Sequence, residues 1–594
     1  MSPSQPTARQ RWRAVPWLVA GAPRWVRVLV GVALLGLGLF LVARPLTALG
    51  ALGLYVGLSA MASGVADLLE RGPGRWSWVG GVLWLVGGLL VAVWLGRDVD
   101  LLVPAVAVLL VVSGVLDLVA LVRDRSADRV LGALFGLAQV AWGVMALWWP
   151  DVALVVIAIL FGARTVVFAV GLLWRATVRE SVRPAARSDE GGRRLPGLRW
   201  AAGVLVVLVS GGALWVSHQF RAGVPVADSF YDAPTEVPAE PGRLVRWDAY
   251  SGDLPEGLRG YRILYTTTAS DGTDALASGV LAVPVADDEP APLVAWAHGT
   301  VGVARGCAPS LRRDAISSDS IPATDALAER GWAMVATDYT GMGTQGRFPY
   351  LVGTGEGHSV LDSARAARQV PGVRLADETV VWGHSQGGHA ALWAGQLASS
   401  YAPDLDVVGT AALSPAADPL ALAQVVHDNP GAGTALAVSF VATAYAQTYP
   451  DIDLDEVVAP SARTIVREAA TRCTSEASTL LTVLTGLAVA RDQPILRSAP
   501  TTGAIGERLR ENVPTGPWSA PLFVGHGTDD GVVPYRLTQE YLPALCASGA
   551  DVEPHAYEGR SHLDVLGADS PLGADLVAWT SARLAREPAT TNCS

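Results

Sequence analysis

Seven apolar stretches in the first 217 residues, at 26–43, 47–69, 76–96, 101–122, 129–149, 152–174 and 199–217, constrain this chain more than any other feature. Each approaches the roughly 20 residues that carry a helix across the hydrocarbon core of a bilayer. From about 226 onward the composition changes, and the acidic residues collect. A chain of 594 residues with two such solvents is expected to be an all-α polytopic membrane domain followed by a water-exposed domain.

Arginine orients the spans. The tail carries Arg9, Arg11, Arg13 and Arg24, the second-to-third connection Arg71 and Arg75, and the fourth-to-fifth Arg123, Arg125 and Arg129. The sixth-to-seventh connection holds Arg175, Arg179, Arg183, Arg187, Arg193, Arg194 and Arg199. The alternate connections hold only Arg44 and Arg97, with none in Trp149-Pro150-Asp151. Positive residues stay on the cytoplasmic side, so the N-terminus is expected inside and everything after 217 outside. The expected order is a basic tail (1–24), six spans (25–174), a cytoplasmic loop (175–198), a seventh span (199–217) and a linker (218–243) overlapping a C-terminal domain (228–594). A cleaved signal peptide fits less well, because the charged leader is long and no A-x-A site follows the first span.

The first six spans repeat as three helix pairs. SGVADLLER (63–71) and SGVLDLVALVR (113–123) close the second and fourth spans alike, while the third copy, ending in VFAVGLLWR, has lost the acid. Abundant glycine suits helices that approach closely. Over about 25–175 this repeat resembles the HdeD-like acid-resistance membrane family. Acids within spans are costly, so Asp67 and Asp117 are candidates for proton relay, but both sit near cytoplasmic ends, which favours a structural role. Arg164 lies nearer mid-span and is expected to pair within the bundle.

The net charge of −11 belongs mainly to the second part and argues against a nucleic-acid partner. All the basic residues are arginine, as in a GC-rich genome such as an actinobacterium's. The four cysteines, Cys307, Cys473, Cys546 and Cys593, all follow the last span, where an oxidising compartment would join them; four cysteines allow three pairings. No His or Cys spacing suggests a metal site.

Strand-like runs at 261–268, 277–284, 292–299, 332–338, 379–385, 407–413, 521–527 and 552–558 alternate with helical stretches. That alternation predicts a mostly parallel sheet of up to eight strands covered on both faces. At the end of the fifth run stands Gly383-His384-Ser385-Gln386-Gly387, a G-x-S-x-G turn between strand and helix. Gly383, His384 and Gly387 would form a sharp elbow that exposes Ser385, with the Gln386 N–H at the helix start facing a developing oxyanion. In this arrangement the nucleophile is followed in the chain by an acid and then a histidine. Asp530 follows PLFVGHG at the expected place, with Asp529 as its rival, and His562 lies in the loop after the last strand. His298, His384, His389 and His526 are read as structural or pocket-lining, as a lone histidine usually is. The second oxyanion donor is expected from Gly299 or Thr300, after the third run.

AWAHGTVGVARGCAPS, ATDYTGMGT, PYLVGTGEGHSVLDSARAARQ, GHSQGGHAALWAG and VGHGTDDGVVPY, in that order, resemble the secretory lipase family of α/β-hydrolases over about 228–594. The resemblance implies hydrolysis of carboxylic, often lipid, esters through an acyl-serine, with the matching triad Ser385, Asp530 and His562 and no metal or organic cofactor. It also implies a helical cap at about 418–516 and the pairings Cys307–Cys473 and Cys546–Cys593. An acyltransferase would use the same residues, and a membrane stress or transport module whose outer domain only binds lipid is a third reading. The expected partners are an ester or lipid substrate and the bilayer; oligomeric state is not legible.

Overall fold

The computed structural model describes residues 23–47, parts of 53–93, residues 99–123, 129–177 and 196–222, and, apart from short breaks, 225–593. The basic tail, the 178–195 loop, Asp67 and much of the second and third expected spans lie outside the described residues. The chain divides into two compact units.

The first unit holds 1–222 together with 459–468 and 481–495. Among the described residues, five of its helices are long and apolar enough to cross a membrane, namely α1 (Arg24–Ala43), α2 (Leu102–Arg123), α3 (Arg129–Trp148), α4 (Pro150–Thr177) and α5 (Pro196–Ala222). Helix α5 runs past 217 into the expected linker: the Trp149 indole donates to Ser217 Oγ (2.6 Å), and Arg221 stacks over Trp148 and Trp149.

Glycines set the helix crossings. A β-carbon on Gly38 would lie 2.9 Å from the Gly162 carbonyl and one on Gly162 2.9 Å from that of Gly38, so no side chain fits between α1 and α4. Gly114 and Gly136 meet in the same reciprocal way between α2 and α3, and Gly57 and Gly88 between the second and third spans. The close crossings therefore join spans 2 to 3, 4 to 5 and 6 to 1. Each links one sequence repeat to the next and the last back to the first. Asp117 accepts from Gln139 Nε2 at 3.3 Å, whereas Arg164 is exposed on α4.

The second unit is a nine-stranded sheet, β1 (Leu244–Ala249), β2 (Leu258–Thr268), β3 (Asp274–Pro284), β4 (Ala291–Ala297), β5 (Ala333–Thr340), β6 (Leu375–His384), β7 (Asp406–Leu413), β8 (Leu522–Gly527) and β9 (Val552–Tyr557). Its order is β1-β2-β3-β5-β4-β6-β7-β8-β9, antiparallel through β3–β5 and parallel from there on. The strand absent from the eight expected is β1: Arg246 and Asp248 break its apolar run, and it pairs on one side only, at the sheet edge. Strands β4, β5 and β8 are buried almost throughout, as strands covered on both faces must be.

Helices α6 (Asp325–Arg330), α7 (Gly353–Ala367) and α8 (Gln386–Tyr401) alternate with the central strands. The expected cap contains α9 (Pro419–Asp428), α10 (Ala432–Thr448), α11 (Leu454–Val457), α12 (Arg463–Ala469), α13 (Thr479–Ala490) and α14 (Gly503–Glu511). Helices α15 (Tyr535–Ala547) and α16 (Pro571–Leu584) complete the chain. Both cysteine pairs, Cys307–Cys473 and Cys546–Cys593, are disulfide-bonded.

Candidate active site

Three glycines and one strained serine build the turn between β6 and α8. Ser385 has φ 59° and ψ −120°, a conformation that residues with a side chain rarely adopt and that tends to mark working sites. A β-carbon on Gly383 would stand 1.9 Å from the Gly387 carbonyl, and one on Gly387 1.9 Å from that of Ala297, so neither position tolerates a side chain. Ser385 N–H donates to Leu413 O at the end of β7 (2.9 Å), and its carbonyl accepts from Ala416 and His389. The turn is thus clamped to β4 and β7 on either side.

Ser385 Oγ lies 2.8 Å from His562 Nε2, and His562 Nδ1 lies 2.6 Å from Asp530 Oδ2. All three residues are buried. The other oxygen of Asp530 accepts from the N–H groups of Val532 and Val533, both at 2.8 Å, so the loop after β8 holds the carboxylate rigidly. Burial works to raise the Asp530 carboxyl. Donors from His526, His562 and the Val532 N–H outweigh it and hold the group well below the usual carboxylate range. Asp529 makes its backbone contact to Arg560 and is not in this chain of bonds.

Every histidine read as structural or pocket-lining has a specific neighbour. His384 Nε2 is 2.9 Å from the His562 carbonyl, and burial with the nearby His562 depresses its pKa to about 3, so it stays neutral and donates. His526 Nε2 is 2.9 Å from Val533 O and 3.2 Å from Asp530 Oδ2, while Thr538 bonds its Nδ1. His298, depressed to about 4 by burial, bonds the Gly299 carbonyl.

Gln386 begins α8, so its backbone N–H is one of the donors a helix start leaves without an intrahelical partner. Gly299 lies against the elbow, its would-be β-carbon 3.5 Å from Ser385 Cβ, and Thr300 Oγ1 bonds the Tyr350 hydroxyl at 2.8 Å.

Beneath the elbow sits a residue the sequence reading passed over. Glu356, fully buried on α7, accepts from Gln386 Nε2 (2.7 Å), from Leu351 N–H (2.9 Å) and from His389 Nδ1 (2.9 Å). Burial pushes its carboxyl up, and these donors oppose that. His389 Nε2 in turn faces the Asn512 carbonyl at 2.7 Å. The Trp393 indole N–H also lies 3.1 Å from Nε2, so the His389 ring is held at both nitrogens. The signal in the sequence is the single acid inside GTGEGHS.

The loop leaving β4 is tied to the chain near 473 by the Cys307–Cys473 bond and by Thr474 N–H donating to Val301 O. A small cavity of about 60 Å³ opens beside Tyr350, lined by apolar side chains that include Leu422, Val441, Leu496 and Leu509.

Comparison with known proteins follows the same division. Residues 315–592 match the secretory lipase family model, and residues 29–93, 79–147 and 134–187 match three copies of a short repeat of unknown function, DUF308, to which the HdeD-like proteins belong. Among curated relatives, a probable inactive lipase of Mycobacterium tuberculosis is 27% identical, covering 64% of this chain and 88% of its own. A secreted triacylglycerol lipase of Malassezia furfur is 24% identical over 59% of this chain and 79% of its own. The closed state of Candida antarctica lipase A superposes with a TM-score of 0.52 at 20% identity, covering 62% of this chain and 89% of that one, a likeness of fold. The apolar helices thus carry the DUF308 repeat, and the α/β-hydrolase domain matches the secretory lipase family over 315–592.

Proposed function

We propose that this protein is a membrane-anchored serine hydrolase that cleaves carboxylic esters, lipid esters among them, outside the cytoplasm. The observation that carries the reading is the unbroken hydrogen-bond line Ser385–His562–Asp530 on a strained elbow. A chain that has lost the reaction has no use for nucleophile, base and orienting acid in register.

In this reading His562 Nε2 takes the Ser385 proton as Oγ attacks the ester carbonyl. The tetrahedral oxyanion is held by the Gln386 N–H and by an N–H of Gly299 or Thr300, each contributing about 3 kcal/mol to the transition state. His562 then protonates the leaving alcohol, water attacks the acyl-serine by the same route, and the acid departs. Asp530 keeps Nδ1 protonated and stabilises the imidazolium, a task its depressed pKa suits. The apolar cavity beside Tyr350 fits part of an acyl chain. Arginine placement and two disulfides support an extracytoplasmic hydrolase.

The test is hydrolysis of p-nitrophenyl esters of rising acyl length by the full chain in nanodiscs, beside Ser385→Ala. Activity lost in the variant, with covalent labelling of Ser385 by a fluorophosphonate, supports the reading. A folded wild type that neither hydrolyses any ester nor takes the label overturns it.

A further inference from the structure

Helix α13 is inside out. Leu480, Leu484 and Leu487 are 54%, 54% and 42% exposed, and at 3.6 residues per turn these positions form one stripe. The buried side carries hydroxyls, with Thr482 and Thr485 at 1% and 3% and Ser478, just ahead of the helix, at 2%. In water this arrangement inverts the ordinary partition, in which leucine is covered and threonine faces solvent. In lipid it is the ordinary one.

The surroundings of the helix within the first unit say which solvent applies. Thr485 Oγ1 lies 3.4 Å from the carboxylate of Asp151, in the first turn of α4. Asp492, just past α13, accepts from the Leu46 and Thr47 N–H groups beyond α1, and its carbonyl accepts from Arg44. In the unit's other inserted segment, Thr464 and Arg467 bond Asp100, immediately before α2. All three attachment points, 44–47, 100 and 151, fall in the arginine-poor connections, which lie at one end of the bilayer-length helices by the positive-inside rule. A helix pinned there stands at the boundary between hydrocarbon and headgroups.

We propose that α13 is a lipid-embedded helix, its Leu480–Leu484–Leu487 face seated in the outer leaflet of the bilayer that the long helices cross. Thr485 turns its hydroxyl inward to the Asp151 carboxylate and to the Leu481 carbonyl of its own helix, and the leucines meet acyl chains instead of water. The single partner this surface fits is the lipid itself, at the acyl–headgroup boundary. The proposal rests on the reading that the apolar helices cross a bilayer.

Single cysteines introduced at 484 and 487 in the full chain, labelled with a nitroxide and reconstituted in phosphatidylcholine–phosphatidylglycerol nanodiscs, test it by collision with oxygen and with the water-soluble NiEDDA. Two reference labels calibrate the scale, one at Val167, 73% exposed on α4, and one at Val285, 58% exposed in the second unit. The expected result is an oxygen-to-NiEDDA ratio at 484 and 487 that is several-fold above that at 285 and close to that at 167. Ratios at 484 and 487 like that at 285, with 167 lipid-like, overturn the proposal alone. A water-like ratio at 167 overturns the bilayer reading and the proposal with it. Because the labelled leucines are exposed, hydrolysis of a soluble short-chain ester by the labelled proteins checks that the fold is kept.

Discussion

The imidazole of His384, the residue before the proposed nucleophile Ser385, donates its Nε2–H to the backbone carbonyl of His562, the proposed base, at 2.9 Å, and the two rings stand 4.6 Å apart. The elbow thus fixes the main chain of the histidine whose ring faces Ser385 Oγ. Replacing His384 by alanine removes one buried hydrogen bond, worth about 1 kcal/mol. The expected outcome is a kcat about five- to tenfold lower on soluble esters with KM nearly unchanged, read by steady-state kinetics. A larger effect on KM than on kcat contradicts the positioning role.

Acid should destabilise the hydrolase domain through its buried neutral histidines. Burial, joined at His384 by the nearby His562, depresses His298 to about 4 and His384 to about 3 from an ordinary value of 6.5. Both rings are neutral in the fold and protonate near 6.5 when it opens. Their contribution is complete above pH 6.5 and is lost as pH falls from there through the folded values, by about 2 kcal/mol each at pH 5. Urea midpoints at pH 7 and pH 5 for wild type and His298→Asn check this. The variant should lose less stability on acidification.

Asp530→Asn keeps the shape of the acid but not its charge. The expected fall in kcat is about 10⁴-fold, because the wrong imidazole tautomer then faces Ser385. A pH–rate profile together with fluorophosphonate labelling rates reads it, and labelling should slow in parallel.

Glu356→Gln should leave the fully buried His389 ring without the carboxylate that faces its Nδ1. Leaving a buried hydrogen-bonding group without its partner costs about 1–3 kcal/mol. Because Gln386 also leans on Glu356, kcat should fall in the fraction that remains folded. Chemical denaturation followed by active-site-titrated kinetics separates the two effects.

The two disulfides should differ in consequence. Cys307→Ser with Cys473→Ser frees the loop leaving β4 and should lower both stability, by about 2–5 kcal/mol, and kcat. Cys546→Ser with Cys593→Ser, which releases the chain terminus, should lower stability alone. Thermal inactivation and kcat at a temperature where both variants are folded distinguish them.

The residues expected as a triad were legible because their chemistry is written in order along the chain: a glycine-flanked serine after a β-branched run, then an acid, then a histidine, each after a strand. Glu356 and Asn512 were not. Their contacts to His389 close over 33 and 123 residues, and nothing local marks a carboxylate as facing an imidazole. Strand β1 was hidden by the charges an edge strand carries. Helix α13 reads as TLLTVLTGLAVA, an apolar run that fits a protein core as well as a bilayer. Which side its threonines take is a property of packing, not of composition.

The glycine crossings of the first unit carry a genetic consequence. Because they join repeat to repeat around a closed circuit, Gly57 to Gly88, Gly114 to Gly136 and Gly162 to Gly38, one helix pair already contains both halves of the contact. Three identical copies of that pair would close the same circuit as a homotrimer. Fusion into one gene spares the assembly its dependence on concentration and releases each copy from serving all three places. The third pair, which lacks the acid that Asp67 and Asp117 mark in the other two, is what such a release permits.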